Sequence, residues 1–185
     1  MEERVPDASG VDGDAEAVAD AQRDPRQFVA LYDRYAARVY RYVRMRVRHE
    51  QTSEDITSQV FATALARIES FRTDGSFAAW LFRVAHNAVQ DTYRRRTAAP
   101  MDQEMVDAVP DRDPGPEARA LAGEDAEELR ALISGLRSEQ QHLLALRFGA
   151  GLNAGEIGAI LGKSAEAVRV SLHRTITELR LRYEE

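Results

Sequence analysis

Close to its C-terminal end the chain reads Lys163, Ser164, Ala165, Glu166, Ala167, Val168, Arg169, and Arg174 and Arg180 follow. On the first turns of a helix those residue types can read a DNA groove. An arginine such as Arg169 offers paired donors to guanine, a glutamate such as Glu166 accepts from the amino group of cytosine, and the Ala165 methyl packs on that of thymine. Lys163, Arg174 and Arg180 suit phosphates, which fix register without carrying sequence information. Ser164 fits the N-cap and would turn the free amides and the positive end of the helix dipole toward the groove. On a plain helical hairpin the same residues would be solvated surface charge, so the surrounding elements must decide.

Other chemistries find no footing. His49, His86, His142 and His173 lie far apart in the sequence, no metal-ligand pair is expected among them, and no glycine loop has nucleotide-cradling spacing. Glu54 and Asp55 are adjacent and diverge around a helix, so they do not work as paired acids. No catalytic residue, metal or cofactor is expected. The chain lacks cysteine, which excludes disulfides and thiolate metal sites and fits a reducing compartment. Its start has no cationic segment followed by an apolar run, and no stretch is apolar for the length of a membrane span. The expectation is a soluble cytoplasmic protein without membrane insertion.

A helix-turn-helix needs a small residue where its helices cross and a flexible one at the turn. Gly158 and Gly162 stand at those places, with Ile157, Ile160 and Leu161 facing inward from the first helix and Val168, Leu172, Ile176 and Leu179 from the second. Upstream, Leu129, Leu132, Ile133 and Leu136 predict an entering helix, and Leu143, Leu144 and Leu146 another that Ser138 would cap. In the N-terminal half, Phe28, Leu31, Tyr32, Tyr35, Val39, Tyr42, Val43 and Val47 recur at helical steps after Pro25, with Arg34, Arg38, Arg41, Arg44 and Arg48 mainly off that stripe. Thr52 or Ser53 starts a second helix with Ile56, Val60, Leu65 and Ile68 inward. A third buries Phe77, Trp80, Leu81, Val84, Ala88 and Val89 and ends in Arg94, Arg95 and Arg96. No strand-like alternation of useful length occurs. The predicted fold is all-α, with two small helical domains.

Charge divides along the same lines. Residues 1–24 carry 8 acidic and 2 basic side chains, residues 25–96 carry 7 and 13, residues 97–128 carry 10 and 2, and residues 129–185 carry 6 and 8. The net charge of −6 is therefore an average over alternating blocks, and a phosphate backbone responds to the local potential. The expected organisation is an acidic disordered leader over 1–24, a helical domain over 25–96, a flexible acidic proline-rich linker over 97–127, and a helix-turn-helix domain over 128–185.

Four segments together resemble the bacterial RNA polymerase sigma factors of the sigma-70 superfamily, in particular the extracytoplasmic-function (ECF) group. "FVALYDRYAARVYRYV" looks like the opening helix of the family's region 2. "SEDITSQVFATALARIESF" resembles its polymerase-facing helix, and "FAAWLFRVAHNAVQDTYRRR" the aromatic, basic helix near melted promoter DNA. "LRSEQQHLLALRFGAGLNAGEIGAILGKSAEAVRVSLHRTITELR" is similar to region 4, which reads the upstream, −35 element.

The resemblance implies a division of labour. Asp55, Gln59, Val60 and Phe61 match the part that docks on core polymerase. The loop "FRTDGS" matches the one that captures a flipped base of the −10 element, which assigns Arg72, Thr73, Asp74 and Asn87 to single-stranded DNA and Arg83, Arg94, Arg95 and Arg96 to its backbone. Lys163, Ser164, Ala165, Glu166, Arg169, Arg174 and Arg180 fall to the −35 duplex. For Phe71 and Trp80 packing is the favoured reading over stacking on bases or wedging strands. Ala167, Val170 and Ser171 depart from the family's usual hydroxyl, serine and basic residues, which removes one phosphate attraction. The expected partners are core RNA polymerase, promoter DNA and an anti-sigma protein, and restraint by the acidic segments or by closure of the two domains on each other is a further expectation. The alternative class is a helix-turn-helix regulator that is not a sigma factor.

Overall fold

The structure, a computed structural model, describes residues 11–47, 49–72, 75–98 and 128–184. All regular structure among them is helical. In chain order the elements are α1 (Val11–Arg23), a 3-10 turn (Pro25–Phe28), α2 (Val29–Arg46), α3 (Glu50–Arg67) with a 3-10 turn (Ile68–Ser70), and α4 (Phe77–Ala98). They continue with α5 (128–134), α6 (Ser138–Leu144) running into a π turn (Ala145–Gly149), α7 (Ala154–Leu161) and α8 (Ala165–Tyr183).

Helices α2, α3 and α4 close around the predicted faces: Leu31, Tyr35, Val39, Tyr42 and Val43 meet Ile56, Val60 and Ile68 and the Phe77, Leu81 and Val89 side of α4. Each large apolar side chain removed from water there contributes about 1.5–3 kcal/mol. Two inward positions differ from expectation. On α3 the four-residue step from Ile56 through Val60 selects Ala64, fully buried, and leaves Leu65 40% exposed. On α2 Tyr32 is 46% exposed.

The helix over residues 11–23 corrects the expectation of a disordered leader for its described part. Its inner stripe is built from small side chains, Ala17, Val18 and Ala21, which pack into the same core. Buried Asp14 accepts from Arg34 at 2.5 Å and from the Tyr35 hydroxyl. Burial first, and Asp14 second, push the Tyr35 hydroxyl pKa up. Residues 1–10, and residues 99–127 of the linker expected over 97–127, lie outside the described residues, while residues 97 and 98 extend α4 beyond the expected boundary.

Helix starts also shift slightly. His49, not Thr52 or Ser53, caps α3, its ring nitrogen accepting from the Thr52 amide at 3.3 Å. Ser138 falls inside α6, where Arg137 holds the cap position.

The core does not stop at α4. Leu143, Ala145, Leu146, Ala150, Leu152, Ile157 and Val168 belong to the same continuous cluster as the α1–α4 residues. The two modules are therefore closed on each other, with the π turn seated on α2 and α7 on α4.

Candidate nucleic-acid interface

Helices α7 and α8 form the predicted helix-turn-helix. Asn153 caps α7 by accepting from the Glu156 amide at 3.0 Å, and the Glu156 carboxylate accepts in return from the Asn153 amide at 2.9 Å. The helix ends at Gly162, whose φ of 66° lies in the left-handed region that glycine adopts without cost. At Gly158 a Cβ would fall 2.5 Å from the Lys163 carbonyl oxygen, so the turn can pass over α7 only because that side chain is missing. Ser164 caps α8, accepting from the Ala167 amide at 3.1 Å. Val168 and Thr175 then face inward, and Thr175 takes the buried place that periodicity assigned to Ile176, which is 39% exposed.

The outer face of α8 brings the expected readers together. Glu166, Arg169, Arg174 and Arg180 are exposed along it, and Ala165 is half-buried at its start. Glu166 and Arg169 are paired with each other at 2.8 Å. Lys163 is bonded to Glu139 of α6 and holds that carboxyl below its ordinary pKa.

The other expected set sits on the first module. Asn87 and Arg83 are exposed on α4, with Arg94 near its end ion-paired to Asp91 at 3.0 Å and Arg95 exposed beside it. Arg72 is exposed at the end of the described stretch after α3. Thr73, Asp74 and the Arg96 side chain lie outside the described residues. Phe71 packs on Phe77 and Trp80, with ring centroids 5.6 and 5.3 Å away, the arrangement favoured for both Phe71 and Trp80.

On α3, Asp55 and Gln59 are exposed one turn apart. Val60 and Phe61 do not join them as surface: Val60 is fully buried, and Phe61 is 5% exposed with its ring between Phe28 and Tyr32. The four-residue step that buries Ile56 turns Val60 inward as well. Tyr32, 4.8 Å from Phe61 between centroids, is the exposed aromatic there, and its place on the α2 stripe concealed it from the sequence reading.

The seam between the modules is polar and specific. Arg38 donates to the Ala150 carbonyl at 2.8 Å while its guanidinium lies 4.9 Å from the Tyr35 ring centroid. Arg46, 7% exposed, donates to the Ser138 carbonyl at 3.2 Å and approaches its hydroxyl at 3.3 Å. Ser76 donates to Glu156 at 2.8 Å, and Arg83 donates to the Ala159 carbonyl. Gly149 passes so close to α2 that a Cβ would lie 3.1 Å from the Tyr42 Cα.

His86 of α4 and His142 of α6, distant in the sequence, are brought together by the fold and stack at 4.3 Å with rings 8° from parallel. A face-to-face pair does not aim its ring nitrogens at one point, and no cluster of three metal-ligating side chains occurs among the described residues. The Tyr42 hydroxyl lies 3.1 Å from His142 Nε2. Burial above all, then His86 and Arg46, pull the His142 pKa down to about 3, and burial with Arg46 lowers that of His86. Both rings are thus neutral at pH 7. Among the described residues the buried Arg46 Nε and His86 Nδ1 have no hydrogen-bond partner.

A helical module joined to a helix-turn-helix places the chain in the architectural class of DNA-reading proteins. Two family models match: Sigma-70 region 2 over residues 31–99 and Sigma-70, region 4 over residues 132–181. The ECF RNA polymerase sigma factor BldN of Streptomyces coelicolor is 35% identical over 155 residues, 82% of this chain and 58% of BldN. ShbA, an ECF sigma factor of Streptomyces griseus, is 38% identical over 134 residues, 69% of each chain. The structure of CnrH in complex with the cytosolic domain of CnrY shares the fold, with a TM-score of 0.71 at 23% identity over 92% of this chain and 97% of that one. The chain belongs to the ECF group of the sigma-70 family of RNA polymerase sigma factors. Such a factor directs core polymerase to promoters and is not itself an enzyme. Among the described residues no helix is long and apolar enough to cross a membrane.

Proposed function

We propose that this chain works in the cytoplasm as a promoter-specificity subunit with its sites divided between the two modules, and that the closed arrangement is its resting form. Helix α8 reads the −35 duplex: Ala165, Glu166 and Arg169 at base edges, Lys163, Arg174 and Arg180 on phosphates, and Ser164 presenting the helix start. Asp55 and Gln59, on a surface supported from beneath by Val60 and Phe61, meet core polymerase. Arg72, Thr73, Asp74 and Asn87 take the separated −10 strand, with Arg83, Arg94, Arg95 and Arg96 along its backbone.

The observation that carries the resting-state reading is the occupation of Arg83 and Ser76 by α7. Promoter elements on the order of 20 base pairs apart are separated by roughly 70 Å at 3.4 Å per step, whereas here the two modules are in hydrogen-bonding contact. Engaging both elements requires opening. CnrH was solved with a protein partner, the cytosolic domain of CnrY, and an anti-sigma protein that stabilises the closed or covered modules fits this chain equally well.

Reconstitution with core polymerase and a set of promoter fragments tests the assignment. Asp55→Ala should weaken core association, and Arg169→Ala should change use of the −35 element while core association holds. Equal losses in both assays for either variant would sink the division of labour. The region 2 match removes the alternative of a regulator without a polymerase-binding module.

A further inference from the structure

Gln22 stands in the last turns of α1. Its side-chain nitrogen donates to the Ile68 carbonyl at 2.9 Å and to the Phe71 carbonyl at 2.8 Å. A carboxamide nitrogen carries two hydrogens, so both bonds form at once. These carbonyls bracket the 3-10 turn that ends α3 and set the direction of the chain as it leaves toward α4. On the opposite side the Phe71 ring is held by Phe77 and Trp80. The stretch leading to Arg72 is thus fixed through its backbone by α1 and through its side chain by α4.

Helix α1 is itself fastened at its other end. Asp14 bonds Arg34 and Tyr35 of α2, and Val18 and Ala21 are buried in the core. The helix forms a brace running from α2 to the carbonyls of Ile68 and Phe71, and Gln22 is the contact at its far end.

We propose that Gln22 is a positioning residue for promoter opening: by fixing the Ile68 and Phe71 carbonyls it holds Arg72, the next residue, in place for the separated −10 strand. The proposal rests on the reading that this segment receives that strand. Gln22 acts through the backbone and does not touch DNA.

The test uses full-length protein with core polymerase and a non-template −10 oligonucleotide from a promoter at which the holoenzyme starts transcripts, against a scrambled oligonucleotide. Gln22→Met keeps the length and loses the donor, Gln22→Glu sets an ionised carboxylate against two carbonyls, and Gln22→Lys keeps a donor. Loss of two neutral hydrogen bonds should weaken oligonucleotide binding about ten-fold for Met and at least as much for Glu. Lys should recover most of it, while core association and −35 duplex binding hold within about two-fold. The proposal is overturned if Gln22→Met binds the oligonucleotide like the unaltered chain, or if it loses core association in proportion, which would make Gln22 a residue of general stability. Should the unaltered holoenzyme not prefer the −10 strand over the scrambled one, the site reading fails and the proposal falls with it.

Discussion

Acidification should open the two modules, and the size of the effect follows from one ring. In the closed form His142 is 6% exposed, stacked on His86 and bonded to Tyr42, with its pKa held at about 3 against an ordinary 6.5. The groups facing it are Tyr42 and Arg46 of α2 and His86 of α4, and burial holds the Tyr42 hydroxyl above its ordinary pKa, far from neutrality. The closed state therefore binds fewer protons than the open state between the two pKa values. Its advantage is complete above about pH 6.5 and is lost as pH falls from there toward 3. Between pH 7.5 and 5.5 His142 alone shifts the open-to-closed ratio about ten-fold, or about 1.4 kcal/mol. His86, shifted in the same direction, adds to it. Because the chain has no cysteine, Ala62→Cys and Thr177→Cys give a clean dye pair for energy transfer, with circular dichroism confirming that helices persist. A transfer efficiency that stays flat from pH 7.5 to 5.5 would refute the reasoning, as would an unchanged slope after His86→Gln and His142→Gln together.

Three further outcomes follow from close contacts. Gly149→Ala places a methyl 2.9 Å from Met45 Sδ and 3.1 Å from the Tyr42 Cα, so at neutral pH the same dye pair should report a larger open fraction while −35 duplex binding is kept. Gly158→Ala drives a methyl into the Lys163 carbonyl; overpacking of about 1–3 kcal/mol should outweigh the helix-propensity gain, seen as a lower Tm and weaker duplex binding. Asn153→Ala removes the α7 cap, at a cost of about 1 kcal/mol in denaturant titration. A midpoint unchanged in that titration would show that Glu156 alone secures the helix start.

The sequence revealed what repeats along a helix and concealed what depends on a distant partner. Leu31, Tyr35, Val39 and Val43 declared themselves by period, and Gly158 and Gly162 by the demands of a tight turn. Helix α1 escaped because alanine and valine make a stripe too small to stand out from an acidic background, yet such residues suffice where a helix lies close against its neighbours. Arg38 stood off the apolar stripe of α2 with nothing to mark its partner, yet it and Arg46 are spent on Ala150 and Ser138, more than ninety residues away. His86 and His142 could not be paired from sequence for the same reason. Phe61 shows the limit of motif transfer, since the motif groups it with the exposed Asp55 and Gln59 whereas its ring turns inward beside Phe28 and Tyr32.

The single core that runs through both modules sets a condition on every state in which they part. Separation wets the apolar seat of the π turn on α2 and that of α7 on α4, leaving sticky surfaces with nothing against them. A free chain held open should clump or be cut sooner than the closed one, so the open shape is best suited to moments when polymerase and promoter are already at hand.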